Sequence, residues 1–547
     1  MINLKVETCA SSGVAIGEVY IVKKQELLAA SYKVTDENLE EEIAKYEEAV
    51  RTVKKELEEA AKTSDIFAAH IELVQDSSLA TTVNESIKKD RINVEEAVAK
   101  ACDTYIAVFE SMEDEYMRER ATDLFDIKER LLYALKGEAN NYFTNLTSPC
   151  IIVATDLTPS DTIRMDTNKV LGFVMQYGGV TSHVSIIAKN LGLPALVGVS
   201  NIVDTVKDKE QVILDATNRQ IILSPDVQTL RAYKDKIEKI KEENELLNKF
   251  NGVLAITKDK KHVEVCANVG SIEDIKRAKN YGFDGIGLFR SEFLYMENTH
   301  FPTEEEQFEV YKEAVVLAES EVTVRTLDIG GDKGLPYFSF ETEENPFLGW
   351  RAIRICLERK DIFKTQLRAL LRASVYGKIR IMYPMIVCEE ELDQANQILA
   401  ECRKELEMEG LLYDPKIKVG IMIETPAAVF CAKELAAKSD FFSIGTNDLT
   451  QYITAVDRGN KKVEYLYNTK SISVLRAIKQ VINAGHEAGI TVGMCGEFAS
   501  DASVTKLLLG MGLDEFSMSA SCINKIKSII IDSDYKEEMN SHAVKSI

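Results

Sequence analysis

The half of the chain beyond Gly252 most restricts the fold. It presents eight apolar, strand-like runs, HVEVCANV, GIGLFR, VTVRTLDIG, KIRIMYPMI, KVGIMIE, FFSIG, TVGMCGE and DEFSMS, and each of the first seven is followed by a stretch of helical periodicity. Short apolar runs alternating with amphipathic helices are the pattern of a parallel sheet covered on its faces. Eight such alternations fit a (β/α)8 barrel with insertions, with a doubly wound open sheet as the alternative. Polar residues favour the barrel: Arg290, Asp328, Glu424, Asn447 with Asp448, and Cys495 with Glu497 all stand where an apolar run ends. A barrel gathers such positions on one face, so residues 252–547 are expected to form one.

Upstream the pattern changes. Between residues 36 and 60, Leu39, Ile43, Tyr46, Val50, Val53 and Leu57 recur at alternating steps of four and three, a helix seam whose opposite face is acidic. Similar patterns continue to about residue 136, so residues 33–140 read as an all-helical module. At PCIIVATDLTPSDTIRM and VLGFVMQYGG, short β-branched runs alternate with turns and helices, which is α/β in character. The opening GVAIGEVYIV reads as strand and turn, so residues 1–25 and 145–225 are expected to form one discontinuous α/β domain. Leu230, Tyr233, Ile237, Ile240 and Leu247 mark a connecting helix over 226–250. A chain of 547 residues exceeds one hydrophobic core, in keeping with this multidomain α/β layout.

Charge and composition exclude several function classes. A net charge of -22 argues against a general nucleic-acid or anionic-membrane surface. No run of 18 or more apolar residues occurs, and the first residues lack the pattern of a secretory signal, so no membrane insertion and a cytoplasmic location are expected. The ten cysteines form no CxxC pair, which makes reduced thiols the expectation and a structural zinc site an unfavoured one.

Four groups of residues carry chemistry. In GGVTSHVSIIAKNLGLP, Gly178 and Gly179 permit a tight turn, Thr181 or Ser182 can cap the helix that follows, and His183 stands at its start, where phosphate on the ring would meet free N–H groups. A hydrogen-bonded structural histidine is the alternative; a metal ligand is disfavoured because no second His or Cys stands at ligand spacing. Arg290, Arg325, Lys333, Arg351 and Arg458 beside strand ends suggest an anion pocket in an otherwise acidic chain. Glu424 and Asp448, with Asn447 adjacent, offer the oxygen ligands that suit Mg²⁺, or else are strand caps. Cys495, flanked by glycines that give a small partner close approach to its thiol, is a candidate reactive thiol or else buried filler.

In the order GGVTSH, GLFRSEF, RTLDIGGDK, ENPFLGWRAIR, IETPAA, SIGTNDLTQY, VDRGN and GMCGE, these motifs resemble the enzyme I family of the bacterial phosphoenolpyruvate-dependent sugar phosphotransferase system over nearly the whole chain. The resemblance implies that His183 is phosphorylated and that Cys495 protonates the enolpyruvate leaving group. It implies that Glu424 and Asp448 hold Mg²⁺, that Arg290, Arg325, Asn447 and Arg458 bind phosphoenolpyruvate, with Asp448 beside them, and that Lys333 and Arg351 support them. The implied fold is a swivelling α/β phosphohistidine domain, an inserted all-helical domain that docks the carrier protein HPr, and a C-terminal (β/α)8 barrel that forms a homodimer.

The sequence departs from the family in two places. Ala188-Lys189 replaces the usual Ala-Arg, keeping charge but losing a bidentate fork. Past DEFSMS the family continues with further helices, whereas this chain stops after IKSIIIDSDYKEEMNSHAVKSI, so a weakened closing helix and dimer are expected. The competing readings are a pyruvate phosphate dikinase or phosphoenolpyruvate synthase, against which stands the lack of a Gly-rich nucleotide loop, and a non-catalytic phospho-accepting regulator, against which stands the intact motif set.

Overall fold

The computed structural model describes residues 2–22, 31–61, 70–71, 73–110, 115–137, 143, 146–157, 161, 165–178, 184–185, 188, 192–296, 298–331, 333–335, 337–338, 340–341, 343–458, 460 and 462–547. It divides into two compact units, Met1–Glu242 and Glu243–Ile547.

The first unit contains an eight-stranded mixed sheet and a set of helices. The strands are β1 (Ile2–Lys5), β2 (Thr8–Ser11), β3 (Val14–Val22), β4 (Cys150–Ala154), β5 (Val170–Met175), β6 (Ala195–Val197), β7 (Gln211–Asp215) and β8 (Gln220–Leu223), in the order β1-β8-β7-β3-β4-β5-β6-β2. β3 to β6 are mutually parallel, while β7, β8, β1 and β2 pair antiparallel. Every residue of β4 is buried because both faces of the sheet are covered: Ile152 and Ala154 enter one apolar cluster with Phe173 and Val197, and Ile151 and Val153 enter another with Val174 and Leu214. Period-two alternation of side chains between faces thus turns into a continuous apolar run.

The helices lie in the connection between β3 and its parallel neighbour β4. They span Leu39–Ala61, Ser77–Glu85, Val94–Glu110 and Glu115–Lys136. Tyr46, Val53 and Leu57 from the first pack with Val83, Val98, Cys102, Ile127 and Leu131. Glu42, buried on the same helix, accepts from the Val94 backbone N–H at 2.8 Å, and so satisfies a free donor at the start of the third helix. His70 is fully buried, its Nε2 lying 3.1 Å from Asp123 and its Nδ1 3.4 Å from Asp126, and Arg130 donates to Asp126 at 3.2 Å.

Burial alone would lower the His70 pKa, but the two aspartates push it up to about 9. The folded value lies above the unfolded one, so this stabilisation is complete below about pH 6.5 and disappears as pH rises through about 9. His70→Gln is therefore expected to cost roughly 2–3 kcal/mol at pH 6 and much less at pH 10. Urea unfolding at the two pH values measures the difference, and equal costs would refute the charged-histidine assignment.

The helix Val227–Leu247 has no buried residue along its described length, so its apolar seam is only partly covered. Its start is held by Asp215 at the end of β7, which accepts from Tyr233 Oη at 3.0 Å and Lys236 Nζ at 2.9 Å.

The second unit is a closed parallel barrel of β9 (Glu264–Val269), β10 (Ile286–Arg290), β11 (Val322–Arg325), β12 (Ile379–Tyr383), β13 (Lys418–Ile423), β14 (Phe441–Ile444), β15 (Thr491–Met494) and β16 (Glu515–Met518). The protein is thus a multidomain α/β molecule with a (β/α)8 barrel. Near the strand starts the interior is polar: Arg380 donates to Glu515 at 2.7 Å and to Thr323 at 2.8 Å, its guanidinium 4.6 Å from the Phe441 ring centroid. Above it Leu288, Met382, Met422, Phe441 and Cys495 form a separate apolar layer.

The expected weakening of the closing helix is not what the structure contains. Helix Ile523–Asp532 follows β16 and carries Lys527, fully buried, whose ammonium donates to Asp284 Oδ1 at 3.0 Å and to the carbonyls of Val253 and Gly282 at 2.9 and 2.7 Å. Three acceptors, one from the segment before β9 and two from the turn leading into β10, bind this helix. Among the described residues no helix is long and apolar enough to cross a membrane.

Candidate active site at the barrel mouth

The C-terminal ends of the strands bring together the charged residues that the sequence spreads over some 170 positions, from Arg290 to Arg458. Arg290 and Arg325 end adjacent strands and are paired in register; Arg290 is exposed, whereas Arg325 is buried. Glu424 follows β13, Asn447 and Asp448 begin the helix after β14, and Cys495 follows β15.

Two carboxylates organise the cations. Asp328 accepts from Lys333 Nζ at 2.9 Å and Arg351 Nη2 at 2.9 Å, and lies 3.0 Å from Arg325 Nη1. Glu292 holds Arg325 Nη2 as well as Lys333 Nζ, the latter at 3.0 Å. Burial alone would raise both carboxyl pKa values, but Arg325 and Lys333 hold Glu292 low, and the same two cations with Arg351 hold Asp328 well below the usual range. Neither acid was assigned a role from sequence. The available signal was position: Glu292 lies two residues after Arg290, and Asp328 three after Arg325.

A second cluster has the opposite electrostatic character. Glu424 is buried beside Asp448 and Asp328, and burial followed by these two charges pushes its pKa up to about 8. One Glu424 oxygen accepts the Met385 N–H at 2.7 Å, a donor presented by a residue at φ 57, in the left-handed region. Asp448 lies 3.6 Å from Arg351 and 3.4 Å from Arg458, yet its Oδ1 has no hydrogen-bond partner among the described residues. Asn447 accepts from the Glu497 N–H at 3.3 Å, which ties the ends of β14 and β15 together.

Cys495 sits at the top of the apolar layer, and burial pushes its thiol up to about 11, so it remains protonated at neutral pH. Its carbonyl accepts from Asn268 at 2.8 Å. The glycines beside it serve neighbours other than a thiol partner. A Cβ on Gly496 would fall 1.9 Å from Thr446 Oγ1, so this glycine admits the helix start that carries Asn447 and Asp448. Gly496→Ala is expected to cost about 1–3 kcal/mol in urea unfolding, as overpacking does. No loss of stability would show that the helix start yields freely.

His183 lies outside the described residues, as do Gly179, Thr181, Ser182 and Lys189. The flanking Gly178 has φ 104, and Val184 and Ser185 are buried.

Comparison with known proteins agrees with the fold. Residues 244–535 match the PEP-utilising enzyme, PEP-binding domain, residues 146–219 the mobile domain and residues 8–120 the N-terminal domain of the same class. The barrel and these three matches together define a phosphoenolpyruvate-utilising enzyme. Among curated relatives, the phosphoenolpyruvate-protein phosphotransferase of Buchnera aphidicola is 44% identical over 96% of this chain and 93% of its own length. Those of Haemophilus influenzae and Listeria monocytogenes are 42% and 44% identical, each over 96% of this chain and 94% of theirs. The chain belongs to the phosphoenolpyruvate-protein phosphotransferase family.

Proposed function

We propose that the protein moves the phosphoryl group of phosphoenolpyruvate to its own His183 and then to the carrier protein HPr, releasing pyruvate as the first step of sugar uptake by the phosphotransferase system. The observation that carries this reading is the barrel mouth, where four cations are held by buried carboxylates next to a protonated thiol. Arg290, Arg325, Asn447 and Arg458 bind phosphoenolpyruvate, with Lys333 and Arg351 holding the acids that position Arg325. Arg325 arrives already oriented by Glu292 and Asp328, so little reorganisation is needed when charge shifts during transfer.

The reaction breaks the P–O bond of phosphoenolpyruvate and forms an N–P bond on His183. The enolate left behind takes a proton at carbon from Cys495 and departs as pyruvate. Neutral imidazole has a free lone pair and needs no deprotonation to attack. Transfer to HPr then exchanges one N–P bond for another.

Glu424 and Asp448 fit a divalent cation. Asp448 Oδ1 is buried without a hydrogen bond, and Glu424 stands against two other carboxylates, so an added positive charge relieves both. Mg²⁺ bound there would neutralise phosphoryl and carboxylate oxygens of the substrate. The domain assignment accompanies this reading: 1–25 with 145–225 as the phosphohistidine domain, 33–140 as the helical HPr-docking domain, 226–250 as the linker helix, and 252–547 as the barrel, homodimeric and cytoplasmic.

The test mixes the full chain with phosphoenolpyruvate labelled in phosphate, Mg²⁺ and HPr. Pyruvate release with label on HPr is the expected result. Turnover that requires ATP or AMP would point to a dikinase instead, and absence of pyruvate would leave a phospho-accepting regulator.

A further inference from the structure

A cavity of about 400 Å³ lies on the flank of the barrel, away from the strand ends, where helices Pro426–Phe430 and Ala432–Ala436 meet helix Ile472–Ala488. Lys433, Arg476 and Lys479 supply cations to its lining, Asn483 an amide, and Phe430 and Ala484 an apolar wall. Glu434 and Glu487 also line it, but Glu487 is paired with Lys433 at 2.8 Å. Three basic side chains therefore face two acidic ones here, and Ile547, the last residue, also lines the cavity, in a chain whose net charge is -22.

The two remaining cations lack acidic partners. Among the described residues Arg476 makes no hydrogen bond or ion pair, and the half-buried Lys479 donates to a neutral acceptor, the Met511 carbonyl, at 3.1 Å. Burial lowers the Lys479 pKa. These residues are three apart on one helix and share a face. A guanidinium and a partly desolvated ammonium side by side gain from any anion that bridges them. Phe430 is 79% exposed, leaving an aromatic face open above the same cavity.

We propose that this cavity binds a small organic phosphate, its phosphate between Arg476 and Lys479 and a planar ring on Phe430. Its size is that of a small-molecule site, on the scale of 300–1,000 Å³, which inorganic phosphate alone would leave mostly filled with water. A nucleoside monophosphate has the required dianion and flat base. Asn483 supplies a polar contact for the sugar or base edge. The site is separate from the barrel mouth, and the proposal stands whether or not the phosphotransferase reading does.

Equilibrium dialysis of the full chain with radiolabelled AMP, in the presence and absence of excess phosphoenolpyruvate, tests it. Saturable binding that phosphoenolpyruvate does not displace is expected, weakened at least tenfold by Arg476→Ala and by Lys479→Met. Arg476 is exposed, so its variant carries the test even if Lys479→Met fails to fold. No binding, displacement by phosphoenolpyruvate, or full affinity in Arg476→Ala would each overturn the proposal. Ribose 5-phosphate should compete at least fivefold more weakly than AMP, and equal competition would overturn the role of Phe430.

Discussion

His183→Ala is expected to take up no phosphate from phosphoenolpyruvate and to release no pyruvate, while unfolding in urea like the wild type. The expected effect is complete because a covalent intermediate has no route around its acceptor atom. Any residual rate would require direct transfer between phosphoenolpyruvate and HPr, two molecules whose reacting atoms the protein would then have to align together. Intact-mass measurement after incubation with phosphoenolpyruvate and Mg²⁺ reads the outcome. Wild-type labelling of the variant would place the phosphate elsewhere and remove the basis for a histidine relay. The bond should be labile to acid and stable to base, as an N–P bond is.

Cys495→Ala is expected to slow pyruvate formation by about 10²–10⁴-fold, the range associated with general acid catalysis. The thiol is suited to donation because burial holds it protonated, its pKa pushed up to about 11. Loss of its proton would affect the pH profile near that value and not around neutrality. The variant should still accept phosphate onto His183 from phosphorylated HPr, since that exchange leaves no carbon to protonate. A variant equally impaired in both directions would mean that Cys495 supports the packing of the apolar layer with Leu288, Met382, Met422 and Phe441, and is not the acid.

Much of the barrel was legible because its signals are local. Each strand carries its own apolar run, and the polar residue ending it needs no knowledge of the other strands. The same logic found Arg325, Glu424, Asp448 and Cys495 one strand end at a time. What sequence could not show is which acid holds which cation. Asp328 accepts from Arg351, 23 positions away, and the Met385 N–H reaches Glu424 across 39 positions; such pairings exist only once the barrel closes. The reason for Gly496 was hidden likewise, because the atom it makes room for belongs to Thr446 on a neighbouring strand end. Lys527 was read as part of an abbreviated tail, since a lysine at a helix position gives no sign that three acceptors from distant loops converge on it.

The placement of the helices between β3 and β4 bears on how the chain matures during synthesis. β3 ends at Val22 and its partner begins at Cys150, so roughly 130 residues must be made before the pair can form, a wait on the order of ten seconds at ribosomal speed. The intervening helices pack with one another without waiting for the sheet, and helical modules of this kind settle within microseconds to milliseconds. They are therefore finished before the sheet begins, and the nascent β1–β3 segment must remain unpaired meanwhile. Mutations that raise the apolar character of that opening segment should show their damage as aggregation of the emerging polypeptide, even where the mature protein tolerates them.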